Sequence, residues 1–423
     1  MIVSLWYIAA ISSISFPTGS SMVALDFLPR PLRPVHDGSP LVIGYSHNPR
    51  GDNVRRALQG GVNVICWSFF HLDTTSSSSS YDDDDDNNNN NTPMIRTDLD
   101  LAAIRDLRNS DQYANVLHMA AIGGWNAPHP PSGISGQTWA ETFAQFNQQE
   151  GYLFDGIDWD LEGHDDRSAT TAQFTIETLN VMADMSKVLK GNYGYLISMA
   201  PAESYLAAAN DDDDASSFCL QLNVFPEHWQ EQDRHIVRQA NFSHAGQQCY
   251  AYVLHRAGVD TFDWISIQLY ESFSRFVYET TVLAERQGIL DSIAQAQMEA
   301  LQRRAFAYTN GFQVELPPHY GTVRLTIPPL KLVFGFANGW ADGIKVSCVD
   351  SQLFDLVFAS SSDSKLNIGG VMFWTIDEEG NNGIYLVDWI QNALLQGGYA
   401  NKTNSANAGN DVKQKQGDPT GEL

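Results

Sequence analysis

The stretch Phe154-Asp155-Gly156-Ile157-Asp158-Trp159-Asp160-Leu161-Glu162 constrains this chain more than any other part of it. Side chains on a strand alternate faces, so Asp158, Asp160 and Glu162 project to one side while Ile157, Trp159 and Leu161 project to the other. The apolar set is what a strand packed against helices presents. The carboxylate set has no stabilising purpose. Like charges in a buried place raise one another's pKa and titrate as a coupled group, which keeps a proton available near neutral pH. Acid catalysis at an acetal carbon uses a proton held in this way. Asp155 has the opposite parity and reads as structural.

Acidic residues are abundant, 50 Asp and Glu against 25 Lys and Arg, and most acidic runs are solvated faces. The runs at 82–86 and 211–214 fit that description, since their surroundings are polar and unpatterned. The run at 155–162 differs because every alternate residue is bulky and apolar. A formal charge of −25 argues against nucleic acid or an anionic membrane as partner, both of which need a basic face. It is neutral toward an uncharged polysaccharide. Ten Trp and sixteen Tyr suit sugar stacking and an ordinary core equally well.

With 423 residues and 43% hydrophobic content, the chain can hold one large α/β barrel or two ordinary domains. Short apolar runs recur at 41–45, 62–70, 116–122, 153–161, 195–199, 264–270, 330–336 and 371–376. Helical patterns fall between them: Val54, Ala57 and Leu58 mark one near 52–60, and Leu179, Met182, Met185 and Leu189 mark a long one after the fourth run. Val387, Ile390 and Leu394 mark another after the eighth run. Eight apolar runs alternating with helices predict a (β/α)8 TIM barrel of α/β class over 35–397. Continuous apolar strands mean burial on both faces, as a parallel sheet requires. Glu162 then falls at the C-terminal end of the fourth strand, where such barrels carry their chemistry. The segment around 311–328 reads as a small hairpin excursion.

Residues 1–24 open with an apolar stretch too short to span a bilayer and read as a secretory signal, although the first basic residue is Arg30. A secreted protein is therefore expected. The homopolymeric Ser, Asp and Asn tracts within 74–92 read as a solvated loop over the barrel rim, 203–245 as a wall of the cleft, and 398–423 as a disordered tail. Four cysteines permit three fully paired arrangements. Cys219 with Cys249 is the preferred bridge because both flank one insertion, whereas Cys66, in an apolar strand, reads as a buried free thiol. Sequons at Asn90, Asn241 and Asn401 are compatible with secretion.

The segment Asp155-Gly156-Ile157-Asp158-Trp159-Asp160-Leu161-Glu162 resembles the signature of glycoside hydrolase family 18, the chitinases and their relatives. Gly123-Gly124-Trp125 resembles that family's third-strand motif, and Ser198-Met199-Ala200-Pro201 its fifth. Gln268-Leu269-Tyr270 and Gly370-Val371-Met372-Phe373-Trp374 resemble the sixth- and eighth-strand motifs. These landmarks run in order from Tyr45 to Trp374. The resemblance implies retaining hydrolysis of N-acetylglucosamine polymers, with the substrate's own N-acetyl oxygen attacking the anomeric carbon, an exception to the two-carboxylate scheme.

In that scheme Glu162 protonates the leaving oxygen, Asp160 holds the acetamido N–H, and Asp158 shares a proton with Asp160. Tyr270 donates to the acetamido carbonyl, with Gln268 beside it on the same strand face. Trp374 forms the floor beneath the reacting sugar, Met199 packs under the same subsite, and Tyr45 supports the deepest carboxylate. Gly124 and Trp125 belong to the same subsite lining, and His164 reads as a loop residue. The scheme calls for no metal and no cofactor, and a monomer is expected. Ala121 stands where the third-strand motif usually has Ser, which would leave Asp158 one partner short. Only the short Gly339-Trp340-Ala341-Asp342-Gly343 segment follows the seventh run, so the extra insertion domain of some relatives is missing and an open cleft with endo-type cutting is implied. An endo-β-N-acetylglucosaminidase acting on N-linked glycans would use the same residues. A catalytically silent sugar-binding protein on the same barrel is the reading from another class.

Overall fold

The computed structural model describes residues 39–75, 92–163, 173–208, 216–220, 246–270, 274–283, 293–317, 319–338, 351–358 and 366–399. Eight parallel strands close into a barrel: β1 (Leu41–Ser46), β2 (Val64–Thr74), β4 (Leu117–Gly124), β5 (Gly156–Leu161), β6 (Leu196–Met199), β8 (Trp264–Gln268), β11 (Leu332–Ala337) and β12 (Gly370–Trp374). The ring closes where β1 pairs with both β12 and β2. Each of the eight apolar runs overlaps one of these strands, and the (β/α)8 expectation is borne out.

Helices α1 (Asp52–Gln59), α2 (Leu101–Arg108), α3 (Gly136–Gln149), α4 (Ile176–Tyr193), α5 (Cys249–Ala257), α6 (Ile293–Asn310), α7 (Ser351–Val357) and α8 (Leu386–Gln396) complete the alternation. They bury the faces that the periodicity marked. On α1 these are Val54, Ala57 and Leu58; on α4 they include Leu179, Met182, Met185 and Leu189. The Thr175 hydroxyl accepts from the Thr178 N–H to start α4, and Gly194 ends it in the left-handed region at φ 68°.

Strand parity separates two apolar clusters. Leu41, Ile43, Tyr45, Cys66, Met119, Ala121, Trp264, Tyr270, Val333 and Met372 face inward and fill the barrel. Ile157, Trp159, Leu161 and their counterparts face outward against the helices. Trp159 satisfies its indole N–H there, donating to Ser186 Oγ of α4 at 2.8 Å. Gly156 begins β5 without a side chain for a local reason: a Cβ there would lie 1.9 Å from the Leu196 carbonyl oxygen of β6.

One feature departs from the sequence reading. Strand β2 runs on to Thr74 and turns back as β3 (Pro93–Arg96), an antiparallel pairing that carries the homopolymeric loop at its tip. Residues 76–91 of that loop lie outside the described residues. The expected hairpin is present as β9 (Phe312–Glu315) and β10 (Thr322–Leu325), joined edge-on by the short β7 (Ser216–Ser217).

The preferred Cys219–Cys249 bridge is corrected: both residues are free thiols. Cys249 turns into the core as the first residue of α5, while Cys219 sits half-buried on a segment whose backbone pairs with Gln247. Cys66 is a buried free thiol, as expected. The signal stretch 1–24, His164, Cys348, the three sequons as complete triplets, the 339–343 segment, most of 203–245 and the tail from 400 onward lie outside the described residues.

Asp155 locks the N-terminal end of β5. Its carboxylate takes a bidentate pair from Arg108 at the end of α2, at 2.7 and 2.8 Å, and the His118 N–H at 2.9 Å. Both side chains are at least nine-tenths buried, so removing the guanidinium would leave a buried carboxylate without its cation. Arg108→Ala is expected to lower stability by about 3 kcal/mol, read as a reduced urea midpoint at unchanged m-value.

Candidate active site

The three inward carboxyls of the β5 segment climb toward the C-terminal mouth of the barrel, with exposures of 0% at Asp158, 3% at Asp160 and 7% at Glu162. Asp158 lies deepest. Its Oδ2 accepts from the Tyr45 hydroxyl of β1 at 2.5 Å, and its Oδ1 from the Ser198 hydroxyl of β6 at 2.5 Å. Burial pushes its carboxyl up to about 6, opposed by the hydroxyls of Ser198 and Tyr45.

Gln268 of β8 spans the next two carboxyls. Its Nε2 donates to Asp160 Oδ1 at 2.7 Å and to the Ala200 carbonyl at 2.7 Å, and lies 3.5 Å from Glu162 Oε1. Burial raises Glu162 to about 7, opposed by the Gln268 donor. A carboxyl with that affinity holds a proton at neutral pH and can still release it, as a general acid that later serves as base must do.

Behind Glu162 the backbone leaves the sheet, and side chains replace the strand ladder. Tyr250 of α5 donates to the Leu161 carbonyl at 2.8 Å, His129 Nε2 lies 2.7 Å from the Glu162 carbonyl, and Tyr205 accepts the Gly163 N–H at 2.9 Å. A carbonyl only accepts, so the His129 proton sits on Nε2. Tyr205 and Tyr250 stack nearly parallel, at 6° and 6.0 Å, with the Phe174 ring edge-on to both. The two peptide units that flank the acid are thus gripped by side chains from three separate segments.

The floor is aromatic. Trp374, at the end of β12, stacks on Phe69 at 5.7 Å and 17° and leans on Tyr45 at 5.8 Å. Tyr270 joins the same interior cluster, buried just past the end of β8. Gly124 makes room for Phe69, since a Cβ there would come within 2.6 Å of the ring, at a φ of +96° that favours glycine in any case. Trp125 is half-buried in the turn that follows.

The structure therefore brings together Asp158, Asp160, Glu162, Gln268, Tyr45, Tyr270 and Trp374, with Gly124 beside the floor. It does not bring Met199. Met199 has the opposite parity to Ser198 on β6 and packs in the outer cluster with Ile197, which corrects the expectation that it underlies the same subsite. The alternation that sorted the β5 carboxylates, applied to Ser198-Met199, points to Ser198 as the inward residue. Ala121 does lack a hydroxyl, yet Asp158 is not left short, because Ser198 reaches it from the other side. Phe69, His129, Tyr205 and Tyr250 carried no signal in the sequence, since their contacts depend on how distant segments meet.

No family model matches the chain, and no curated protein matches it in sequence. Solved structures do. The chain is similar to a family 18 chitinase from Chromobacterium violaceum at 15% identity and a TM-score of 0.51, covering 84% of each chain. It is likewise similar to the C-terminal domain of ChiA from Legionella pneumophila at 15% identity and a TM-score of 0.50, covering 84% of this chain and 99% of that one. The fold is the barrel of the family 18 chitinases. The resemblance seen in the motifs is thereby supported at the level of fold.

Among the described residues no group of His, Cys, Asp and Glu is arranged to hold a metal ion. A raised carboxyl pKa also has a stability consequence. Glu162 binds its proton more tightly folded than unfolded, so its contribution is fully present below the unfolded value near 4.5 and is lost as pH rises through about 7. Asp158 acts in the same sense through about 6. Stability is expected to fall between pH 4.5 and 8, and Glu162→Gln to be more stable than the parent at pH 8 by about 3 kcal/mol, taking about 1.4 kcal/mol per unit. Urea unfolding at both pH values reads this; equal parent stability at the two would contradict it.

Proposed function

We propose that this chain is a glycosidase that hydrolyses β-1,4 bonds between N-acetylglucosamine units, with retention and by substrate assistance. The observation that carries the reading is the ascending carboxyl line on β5, topped by a Glu162 held near neutrality beside an aromatic floor. The barrel likeness to family 18 chitinases supports it. Chitin fragments or chitooligosaccharides are the substrate class.

In this reading the reacting sugar lies on Trp374, whose ring offers a flat apolar face to the pyranose. Glu162 gives its proton to the leaving glycosidic oxygen while the acetamido oxygen attacks the anomeric carbon, and then takes a proton from the water that opens the cyclic intermediate. Asp160 accepts the acetamido N–H and balances the positive charge that develops there. Gln268 holds Asp160 in place from the side. Tyr270 presents its hydroxyl to the acetamido carbonyl. Action outside the cell goes with this reading, supported by the apolar stretch that opens the chain.

The test incubates purified protein with N-acetylglucosamine oligomers and, separately, with a high-mannose glycopeptide, and compares products by mass. Shortened oligomers are expected; cleavage of the glycopeptide alone would move the substrate to the N-glycan core, and binding without cleavage would make the protein a sugar-binding one. Glu162→Gln is expected to lower kcat by about a thousandfold while leaving oligomer affinity largely intact. Asp160→Asn is expected to cut turnover of N-acetylated chains strongly, and unchanged retention of activity would rule out assistance by the acetamido group.

A further inference from the structure

Asp158 sits in the barrel wall between two neighbours in register, Ala121 on β4 and Ser198 on β6. Adjacent strands lie roughly 4.8 Å apart, so a short side chain on either one reaches the same carboxyl. Ala121 faces the barrel interior and offers only a methyl group. Ser198 offers a hydroxyl, and donates it at 2.5 Å to the carboxyl oxygen that Tyr45 does not use. Each oxygen of a fully buried carboxyl thus has its own hydroxyl donor, one from β1 and one from β6.

We propose that Ser198 is a positioning residue for the carboxyl line: its hydroxyl orients Asp158 and sets how readily Asp158 draws the shared proton away from Asp160. The proposal rests on the hydrolase reading for its kinetic form. A serine on one flank and an alanine on the other make the arrangement reversible by design, because the hydroxyl can be moved across the strand without changing the sheet.

The groups that face Asp158 are few. Tyr45 comes from β1, Cys66 from β2 and Tyr250 from α5, while Asp160 and Glu162 lie on its own segment. β4 and β6 bring Ala121 and Ser198, neither of which titrates. Burial keeps Tyr45, Cys66 and Tyr250 neutral by raising all three. Among the described residues, Asp160 and Glu162 are then the ones left to exchange protons with Asp158 at the pH where a glycosidase works. The Ser198 hydroxyl is also the larger of the two hydroxyl effects that favour the ionised form of Asp158. Without it Asp158 binds its proton more firmly, and once neutral it no longer repels the Asp160 carboxylate, which therefore keeps its charge to lower pH.

The experiment compares the pH dependence of kcat/KM on chitooligosaccharides for the parent, Ser198→Ala, Ser198→Thr and the double variant Ser198→Ala with Ala121→Ser. Loss of the hydroxyl is expected to move the acid limb down, by up to about one pH unit. Threonine, which keeps the hydroxyl, and the transplanted serine are both expected to bring it back to the parent position. An unmoved limb in Ser198→Ala, or a double variant that behaves like Ser198→Ala, would overturn the proposal and leave Ser198 a packing residue. Should Ser198→Ala not fold, the double variant and Ser198→Thr still decide, since the proposal requires both to fold with the parent limb.

A parallel infrared titration of the buried carboxyl band, on the same full-length proteins without substrate, reports Asp158 directly. A parent that cleaves no substrate but whose carboxyl titration shifts with Ser198→Ala and returns with Ala121→Ser would refute the hydrolase reading alone. A carboxyl titration that ignores both substitutions would refute the role of Ser198 whatever the activity.

Discussion

The donation of two hydroxyls into the Asp158 carboxyl is the interaction on which the rest of the interior depends. A carboxyl that no water reaches is costly unless each oxygen finds a donor. Tyr45 and Ser198 supply those donors from strands on either side of the ring, and this makes an acidic residue tolerable beside the apolar and aromatic side chains that fill the barrel. Above it the demand eases by steps. Asp160 has the Gln268 amide, and Glu162 has only the far edge of the same amide and a slight opening to the mouth. Burial raises both ends of the line, Asp158 to about 6 against two hydroxyl donors and Glu162 to about 7 against one amide donor.

Gripping Glu162 solves a different problem. A strand residue inherits its direction from the sheet, but Glu162 lies one position beyond the last paired residue of β5. The flanking carbonyls and N–H groups are held instead by Tyr250, His129 and Tyr205, and those two tyrosines brace each other. Side chains from the turn after β4, the turn after β6 and helix α5 therefore do for the acid what a neighbouring strand does for Asp158 and Asp160. A residue so held can remain at the barrel mouth, reachable from outside, without losing its orientation.

Most of the barrel could be read in the chain because a parallel strand buried on both faces writes itself as a continuous apolar run, and eight such runs are hard to arrange otherwise. The carboxyl line could be read because alternation needs no knowledge of the neighbours. What could not be read required knowing who meets whom. The return strand Pro93–Arg96 is short and only one of its residues is buried. Phe69 reaches Trp374 through a ring stack that no local pattern announces. Cys219 and Cys249 flank one insertion, yet nearness in sequence says nothing of where a side chain at a helix start will turn. Met199 is the instructive case, because the information was present: it follows an inward residue and must itself face outward.

The same logic explains how a barrel of this kind can hold a buried carboxyl with different residues on its two flanks. At 15% identity the likeness speaks for the barrel and not for individual side chains. Yet a closed parallel sheet gives every inward residue two flanking positions at nearly equal distance. A donor missing from one flank can be supplied from the other without moving any strand. Asp158 has a methyl group toward β4 and a hydroxyl toward β6, which is one solution of the two that the geometry permits. What must be kept is the parity of β5 and a donor for each buried oxygen; which strand provides the donor is free to vary. The departure at Ala121 is therefore no defect in the site, because the physical requirement is met from the opposite side of the same carboxyl.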